Sequence, residues 1–295
     1  IPTLAEISPP AKRPMAEFIA SGTPFARAPP HSADAVHLFS EAGRLAYADR
    51  AEYMGDPDFA VVPVKKLLDH SYLETRAKLI GERSMRLAVP GDTEAAGTSH
   101  FTIVDAEGNV ASMTTTIEAT FGSRVMVRGF LLNDEMDDFT TAPGRPNLFG
   151  LVQGPANEIA PGKRMLSSMS PTLAWKVRPE GTETLVLGAR GGSRIPTSTI
   201  QVLLAVILDG DDLQAAIDRP RLHHQAVPDQ IEVEADTLSP ETRAELERRG
   251  HRVVFVEPRI TPKVHAVRRF ADGRVEAAWD SRGPGLAAAV RPRLP

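Results

Sequence analysis

The chain has 295 residues, with 38 acidic against 34 basic side chains, a formal net charge of −4 and 42% hydrophobic residues. This is the balance of an ordinary globular protein; nucleic-acid binding is excluded as its main task, because phosphate contacts need a clustered excess of Lys and Arg. The longest uninterrupted apolar run, Val202 to Leu208, is too short to span a bilayer, and the absence of cysteine excludes disulfides, zinc–thiolate sites and cysteine nucleophiles.

The first residues, Ile1 to Glu6, lack the basic patch, apolar stretch and cleavage site of a signal peptide, and the missing initiator Met is expected of a processed or truncated chain. Seven of the 25 prolines fall within Ile1–Pro30, which therefore reads as irregular or extended, with room for a short helix around Met15–Ala20. From Ser32, apolar residues at Ala35, Val36, Leu38, Phe39, Leu45 and Ala46 predict a helix to about Met54, with Asp34 offered as its N-cap. A second, polar helix is predicted over Ser71–Ser84, and Ala88–Gly97 reads as a flexible linker.

Beyond Gly97 the texture is that of a sheet. Thr98–Asp105 and Val110–Ile117 predict two strands joined by a turn at Ala106 to Asn109. Phe139–Ser170, rich in Pro and Gly, reads as a long functional loop. Thr184–Leu187 predicts a short buried strand, and Pro196 opens an apolar helix that ends near Asp209 and Gly210. Gln230–Glu234, Arg252–Val256, Val264–Phe270 and Val275–Trp279 predict further strands, with a helix from Ser239 to Gly250 among them. Strands in hairpins with grouped helices imply an antiparallel α+β layer fold.

Three segments could carry chemistry. Thr98 stands where the linker meets a strand, and a Thr exposed as a new N-terminus can use its own α-amine as base; the same residue also suits an ordinary strand start. Leu185 to Gly188, followed by Gly191 and Gly192 and then a helix, offers backbone N–H groups to an oxyanion or carboxylate, or makes a tight turn. Ser167, Ser168 and Ser170 crowd hydroxyls before Pro171 and would serve equally as a solvated turn. His223 and His224, adjacent and without other ligands at metal spacing, read as structural, and Asp134 to Asp138 lacks the calcium-loop pattern.

In this order the chain resembles the gamma-glutamyltransferase family of N-terminal nucleophile hydrolases. The resemblance rests on YADRAEYMGDPDF (Tyr47–Phe59), GTSHFTIVD (Gly97–Asp105), TTTIEATFGS (Thr114–Ser123), LLNDEMDDF (Leu131–Phe139), PGRPNLFGLV (Pro143–Val152), LSSMSPT (Leu166–Thr172), GARGGSRI (Gly188–Ile195) and PRLHHQ (Pro220–Gln225). It implies a four-layer αββα sandwich, with residues 1–97 ending a large-subunit-like section and residues 98–295 forming a small-subunit-like catalytic section. By position it makes Thr98 the nucleophile and Gly97–Thr98 the self-cleavage bond, with Thr116 hydrogen-bonded beside it. Gly191 and Gly192 match the oxyanion hole, Ser167 and Ser168 the seat of the substrate α-carboxylate, and Asp138 with Glu135 the seat of its α-amino group.

The sequence departs from the family in places. Glu118 replaces a usual Asn, Phe149 a lid Tyr, and Arg190 a Pro; the Arg that grips the substrate carboxylate belongs to a family section that precedes this one. Near a substrate carboxylate Glu118 would repel, and near an ammonium it would attract. The resemblance implies a γ-glutamyl amide donor, an amino-acid or water acceptor, and a partner in the cleaved or preceding subunit section. It implies no metal or organic cofactor, and suggests a periplasmic or extracellular location. The alternatives are a related amidase or acylase, for instance of acylated β-lactams, and a non-catalytic remnant kept as a binding subunit.

Overall fold

A computed structural model describes residues 28–85, 96–140, 142, 144–258 and 261–289. The readings of residues 1–27 and of most of the linker lie outside these. Helix α1 (Ala33–Tyr53) begins where expected, but its N-cap is Ser32, whose hydroxyl accepts the Ala35 N–H at 3.2 Å, while Asp34 sits in the first turn. The short α2 (Val64–Leu67) was not foreseen. The next helix, α3 (His70–Ala77), is capped by Asp69 and is shorter than the polar pattern suggested.

The strands β1 (Ala96–Val104) and β2 (Val110–Ala119) form the expected hairpin, and β3 (Met126–Val127) pairs with β4 (Phe130–Leu131) in a small ribbon. The predicted strand at Thr184–Leu187 is the centre of a longer one, β6 (Gly181–Arg190), paired with β5 (Thr172–Arg178). The apolar helix is α4 (Ile195–Leu204), continued by a π turn to Asp209 and stopped by Gly210 in the left-handed region. Next come α5 (Leu213–Asp218), β7 (Leu222–His223), β8 (Ile231–Glu234), α6 (Pro240–Arg248), β9 (Val253–Val256), β10 (Lys263–Arg269) and β11 (Val275–Trp279). The central sheet runs β11-β10-β6-β5, antiparallel throughout. One pair departs from the antiparallel expectation: β8 and β9 are parallel, as a strand–helix–strand connection through α6 requires.

Alternation along β6 explains the layering. Leu185, Leu187 and Ala189 join Ile195, Val202 and Leu203 of α4, Leu213 and Ile217 of α5, and Val264 of β10 in one apolar core. Complete burial of a Leu or Ile side chain contributes roughly 1.5–3 kcal/mol. On the opposite face Gly188 receives the β1–β2 hairpin: a Cβ there would lie 2.2 Å from the His100 ring, so only glycine lets the two sheets approach. A second core joins Val36, Phe39, Ala42 and Ala46 of α1 to Ile200 and Leu204, to Ile231 and Val233, and to Leu246 of α6. This is the α+β fold expected, with helices on one face of the central sheet and the hairpin on the other.

Candidate active site

Five segments converge on one small cleft, lined by Thr98, Thr116 and Glu118 of the hairpin, Asp138, Phe149, Ser167 to Met169, and Gly192 with Ile195. The hairpin supplies the first pair: Thr98 and Thr116 are directly opposite in the β1–β2 register, and Thr98 Oγ donates to Thr116 Oγ at 3.0 Å. Thr116 Oγ also accepts the Glu118 N–H at 2.8 Å, so its oxygen is fixed from two sides.

The ladder is irregular at this point. Between the Thr98–Thr116 and Ala96–Ala119 pairs, Ile117 and Glu118 on β2 oppose Gly97 alone, which is a β-bulge with Glu118 in the left-handed region at φ 75°. Two β2 donors at the bulge turn to side chains: Glu118 N–H to Thr116, and Ala119 N–H to the Asp134 carboxylate at 3.0 Å. Strand β1 runs through the Gly97–Thr98 pair.

Gly191 and Gly192 end β6. Gly192 lies at φ 60° and opens a 3-10 turn into α4, and a Cβ on it would meet the Phe149 ring at 2.4 Å. A side chain is therefore barred twice over, by conformation and by space. Gly192 lines the cavity, with Gly191 next to it in the turn. The turn is held from behind by the Tyr47 hydroxyl, which donates to the Ser193 carbonyl, and by Ser193 Oγ, which donates to Gln225 Oε1 at 2.7 Å. Gln225 in turn donates to the Phe149 carbonyl at 2.7 Å, tying the glycine turn to the Phe149 loop.

Opposite the hydroxyls lies a group of acids. Glu118, Glu135 and Asp138 bring carboxylate oxygens within 4.8 Å of one another. Asp138 closes the 3-10 turn Glu135–Asp138, whose end is clamped where Gln153 and Asn157 donate to the Asp138 carbonyl at 3.0 and 2.7 Å. Burial, with Asp138, Glu135, Asp137 and Asp134 around it, pushes the Glu118 carboxyl well above the usual range. Burial also raises Asp138; Arg50 pulls it back and the other acids push it further up. Glu118 is 4% exposed, and its Oε1 has no hydrogen-bond partner among the described residues.

Arg50, at the C-terminal end of α1, is the residue that the sequence reading quoted without assigning. It is buried, faces Asp138 electrostatically, and donates to Gln153 Oε1 at 3.3 Å and to Ser168 Oγ at 3.5 Å. Its signal was a charged residue continuing the buried stripe Phe39, Ala42, Ala46, where helical spacing predicts an apolar one. Arg164 anchors the serine loop by gripping Asp56 through its backbone N–H at 2.9 Å and its Nε at 3.0 Å. Ser167 Oγ accepts the Met169 N–H at 3.1 Å.

The histidines are engaged elsewhere. His223 bonds Thr197 at 2.7 Å and Gln225 at 2.8 Å, and the His224 Nδ1 accepts the Ala226 N–H at 3.1 Å. The buried trio His37, Glu41 and His251 is joined internally by a 2.6 Å contact between its two imidazoles. Among the described residues no helix is long and apolar enough to cross a membrane.

Comparison with known proteins agrees with this geometry. The Gamma-glutamyltranspeptidase family profile matches residues 4–290. A glutathione hydrolase proenzyme of Pseudomonas sp. (strain A14) is 44% identical over 248 residues, covering 81% of this chain and 42% of that protein. The acylase ACY 1 proenzyme of Pseudomonas sp. (strain SE83) is 36% identical over 264 residues, covering 88% of this chain and 44% of its own length. Among solved structures, the W525D mutant of gamma-glutamyltranspeptidase from Pseudomonas nitroreducens superposes with a TM-score of 0.59 at 44% identity, over 65% of this chain and 99% of that one. The chain thus spans under half the length of these curated relatives, and its fold is that of the N-terminal nucleophile hydrolases. With a match running from residue 4 to residue 290, the chain belongs to the gamma-glutamyltranspeptidase family.

Proposed function

We infer that this chain carries the catalytic centre of an autoprocessing threonine-nucleophile γ-glutamyl transferase or hydrolase acting on glutathione-like amides. The observation that supports it most is the meeting of Thr98, Thr116, Gly192, Ser168 and Asp138 on one cavity. In the uncut chain Thr98 Oγ attacks the Gly97 carbonyl; the peptide C–N bond breaks, the nitrogen keeps its pair and takes a proton, and water hydrolyses the resulting ester. Residues 1–97 then end one subunit, and Thr98 begins the other with a free α-amine.

That amine takes the proton from Thr98 Oγ as the oxygen attacks the donor's γ-carbonyl. Backbone N–H groups at Gly191 and Gly192 stabilise the oxyanion, the amine product leaves with a proton, and water or an amino acid releases the γ-glutamyl group from the Thr ester. Ser167 and Ser168 receive the α-carboxylate, while Asp138, with Glu135 and Glu118, receives the ammonium. The cation expected on the carboxylate side belongs, by the resemblance, to the section that precedes this one in the relatives.

Intact-mass measurement of the purified chain tests this reading. Two fragments dividing between Gly97 and Thr98 are expected, and Thr98→Ala should remain one piece. Wild-type protein that stays whole through long incubation at neutral pH removes self-cleavage by this chain. The acylase relative favours a second reading, an amidase for acyl groups without the α-amino acid head. Faster turnover of a glutaryl anilide than of a γ-glutamyl anilide would select it.

A further inference from the structure

We propose that a second, open cavity, between the β1–β2 hairpin and the β10–β11 edge of the central sheet, binds a small organic carboxylate with its head on Arg190 and its apolar body along Val267, Ala277 and Leu286. This cavity has a volume of about 530 Å³ and shares no lining residue with the catalytic cleft. A space of that size suits a small organic molecule rather than a lone ion. The β6–β10 register sets Arg190 directly opposite Lys263, with His265 two residues further along the same face, opposite Gly188. Beyond β11 the chain passes close over this face: a Cβ on Gly283 would lie 2.9 Å from Arg190 Nη2, and one on Gly285 2.7 Å from His265 Nε2.

Charge is the second observation. Like charges directly opposite on neighbouring strands destabilise a sheet, so the Arg190–Lys263 pair does nothing for the fold. Lys263 is spent on the Pro258 and Thr261 carbonyls at 3.2 and 2.7 Å, and burial with Arg190 beside it lowers its pKa to about 8. Arg190, half-buried, makes no hydrogen bond or ion pair among the described residues. Asp280, the acid that acts on Lys263 and His265, is already taken by Arg221 at 2.7 Å, Arg282 at 3.1 Å and the Val264 N–H at 3.0 Å. A guanidinium cannot shed its proton to escape such a place, so its charge is met by an anion or by water. The His265 Nδ1 beside it is buried without a hydrogen-bond partner among the described residues, although the Lys263 carbonyl favours its protonated form. A planar fork of N–H donors matches the two oxygens of a carboxylate, and the apolar wall beyond it favours a hydrocarbon behind that head. The resemblance expects Pro at position 190, which offers no charge, so this seat is a feature of the present chain.

Binding alone tests the seat, so its failure leaves the proposed function untouched. Calorimetric titration of the full chain with sodium octanoate at neutral pH should give one saturable site with a Kd of about 1 mM or below. Sodium acetate, which carries the head without the body, should bind at least about tenfold more weakly. Arg190→Gln should weaken octanoate at least about tenfold. Should that variant fail to fold by circular dichroism, Leu286→Glu decides: Leu286 is 79% exposed, so the fold tolerates the change, and a carboxylate there should cost octanoate about the same factor. No saturable octanoate binding up to about 10 mM, acetate binding as tightly as octanoate, or an affinity unchanged in a folded variant overturns the proposal.

Discussion

Two of the buried charge clusters among the described residues are built in opposite ways. Beneath β10, Arg221 pairs with Asp280 at 2.7 Å, Arg282 bonds Glu234 at 2.6 Å, and nearby Arg194 reaches Glu232 with Nε at 2.7 Å. Each carboxylate there has its own guanidinium. Burial raises Asp280, Glu234 and Glu232, but their Arg partners and hydrogen bonds outweigh it and hold all three below the usual range. At the cavity, Arg50 pulls on Asp138 while Glu118 and Glu135 have other acids around them, and burial wins for all three. A buried charge matched by its neighbour serves the fold; a surplus of charge facing a cavity waits for a ligand.

The largest expected effect breaks the matched side. Arg221 is 2% exposed and donates to the Pro262 and Ile217 carbonyls besides its ion pair, so Arg221→Met leaves Asp280 with Arg282 at 3.1 Å and two buried carbonyls without their donor, and should cost about 3 kcal/mol in urea unfolding. A loss no larger than that of a surface substitution would put the two clusters on the same footing.

Next comes Asp138. Removing a charge-assisted hydrogen bond to a donor ammonium costs about 1.5–3 kcal/mol, so Asp138→Ala should raise KM for a γ-glutamyl anilide about ten- to a hundredfold. Asp137→Ala should change it far less, because that carboxylate is spent on the Leu148 N–H at 2.7 Å. Equal effects would remove Asp138 from the ammonium seat.

The smallest effect sharpens the contrast. Glu118→Asn removes both a buried carboxyl that the fold holds protonated and a Glu from the left-handed region, where Asn is better tolerated, and should stabilise the chain by about 1 kcal/mol at pH 8. The sign with pH follows. A folded-state carboxyl raised above its unfolded value of 4.5 stabilises most at low pH and loses that contribution as pH climbs through and past 4.5. The depressed carboxyls of the matched cluster behave conversely, losing their contribution as pH falls below 4.5. Wild-type stability should therefore decline on the alkaline side, and Glu118→Asn should flatten that limb in thermal melts. On the proposed function, the variant should also lower the ratio of γ-glutamyl to glutaryl anilide turnover. A slope identical to wild type would mean that Glu118 is not titrating in the fold.

Much of this was legible in the chain. The helix α1, the β1–β2 hairpin, α4 with its Pro196 start and the β10–β11 pair follow from periodicity and turn residues. The strand β5 was missed because Thr172–Arg178 carries Lys176 and Arg178 with its Val and Trp, which blurs the apolar pattern; α5 is too short to show a period. At the site, motif resemblance named Thr98, Thr116, Glu118, Asp138, Ser167, Ser168 and Gly192, which line the cavity, together with Glu135 and Gly191 in the turns beside it. It left out those behind it, Arg50, Tyr47, Gln153, Asn157 and Gln225, whose polar side chains do their work through backbone carbonyls and other side chains. Which face of the cavity Glu118 would serve was open in the sequence; the fold brings Glu118 beside Glu135 and Asp138, which on the proposed function is the ammonium side.

The bulge also sets a trap for anyone improving this protein. Opposite the Gly97–Thr98 bond, two β2 amides are diverted to the Thr116 hydroxyl and the Asp134 carboxylate. A substitution that returned those amides to the ladder would regularise the hairpin and raise the melting temperature. On the function proposed above, it would also brace the scissile carbonyl against attack. Directed evolution scored on heat resistance alone would therefore enrich for tougher, uncleavable zymogens, and a screen of this chain must read maturation alongside stability.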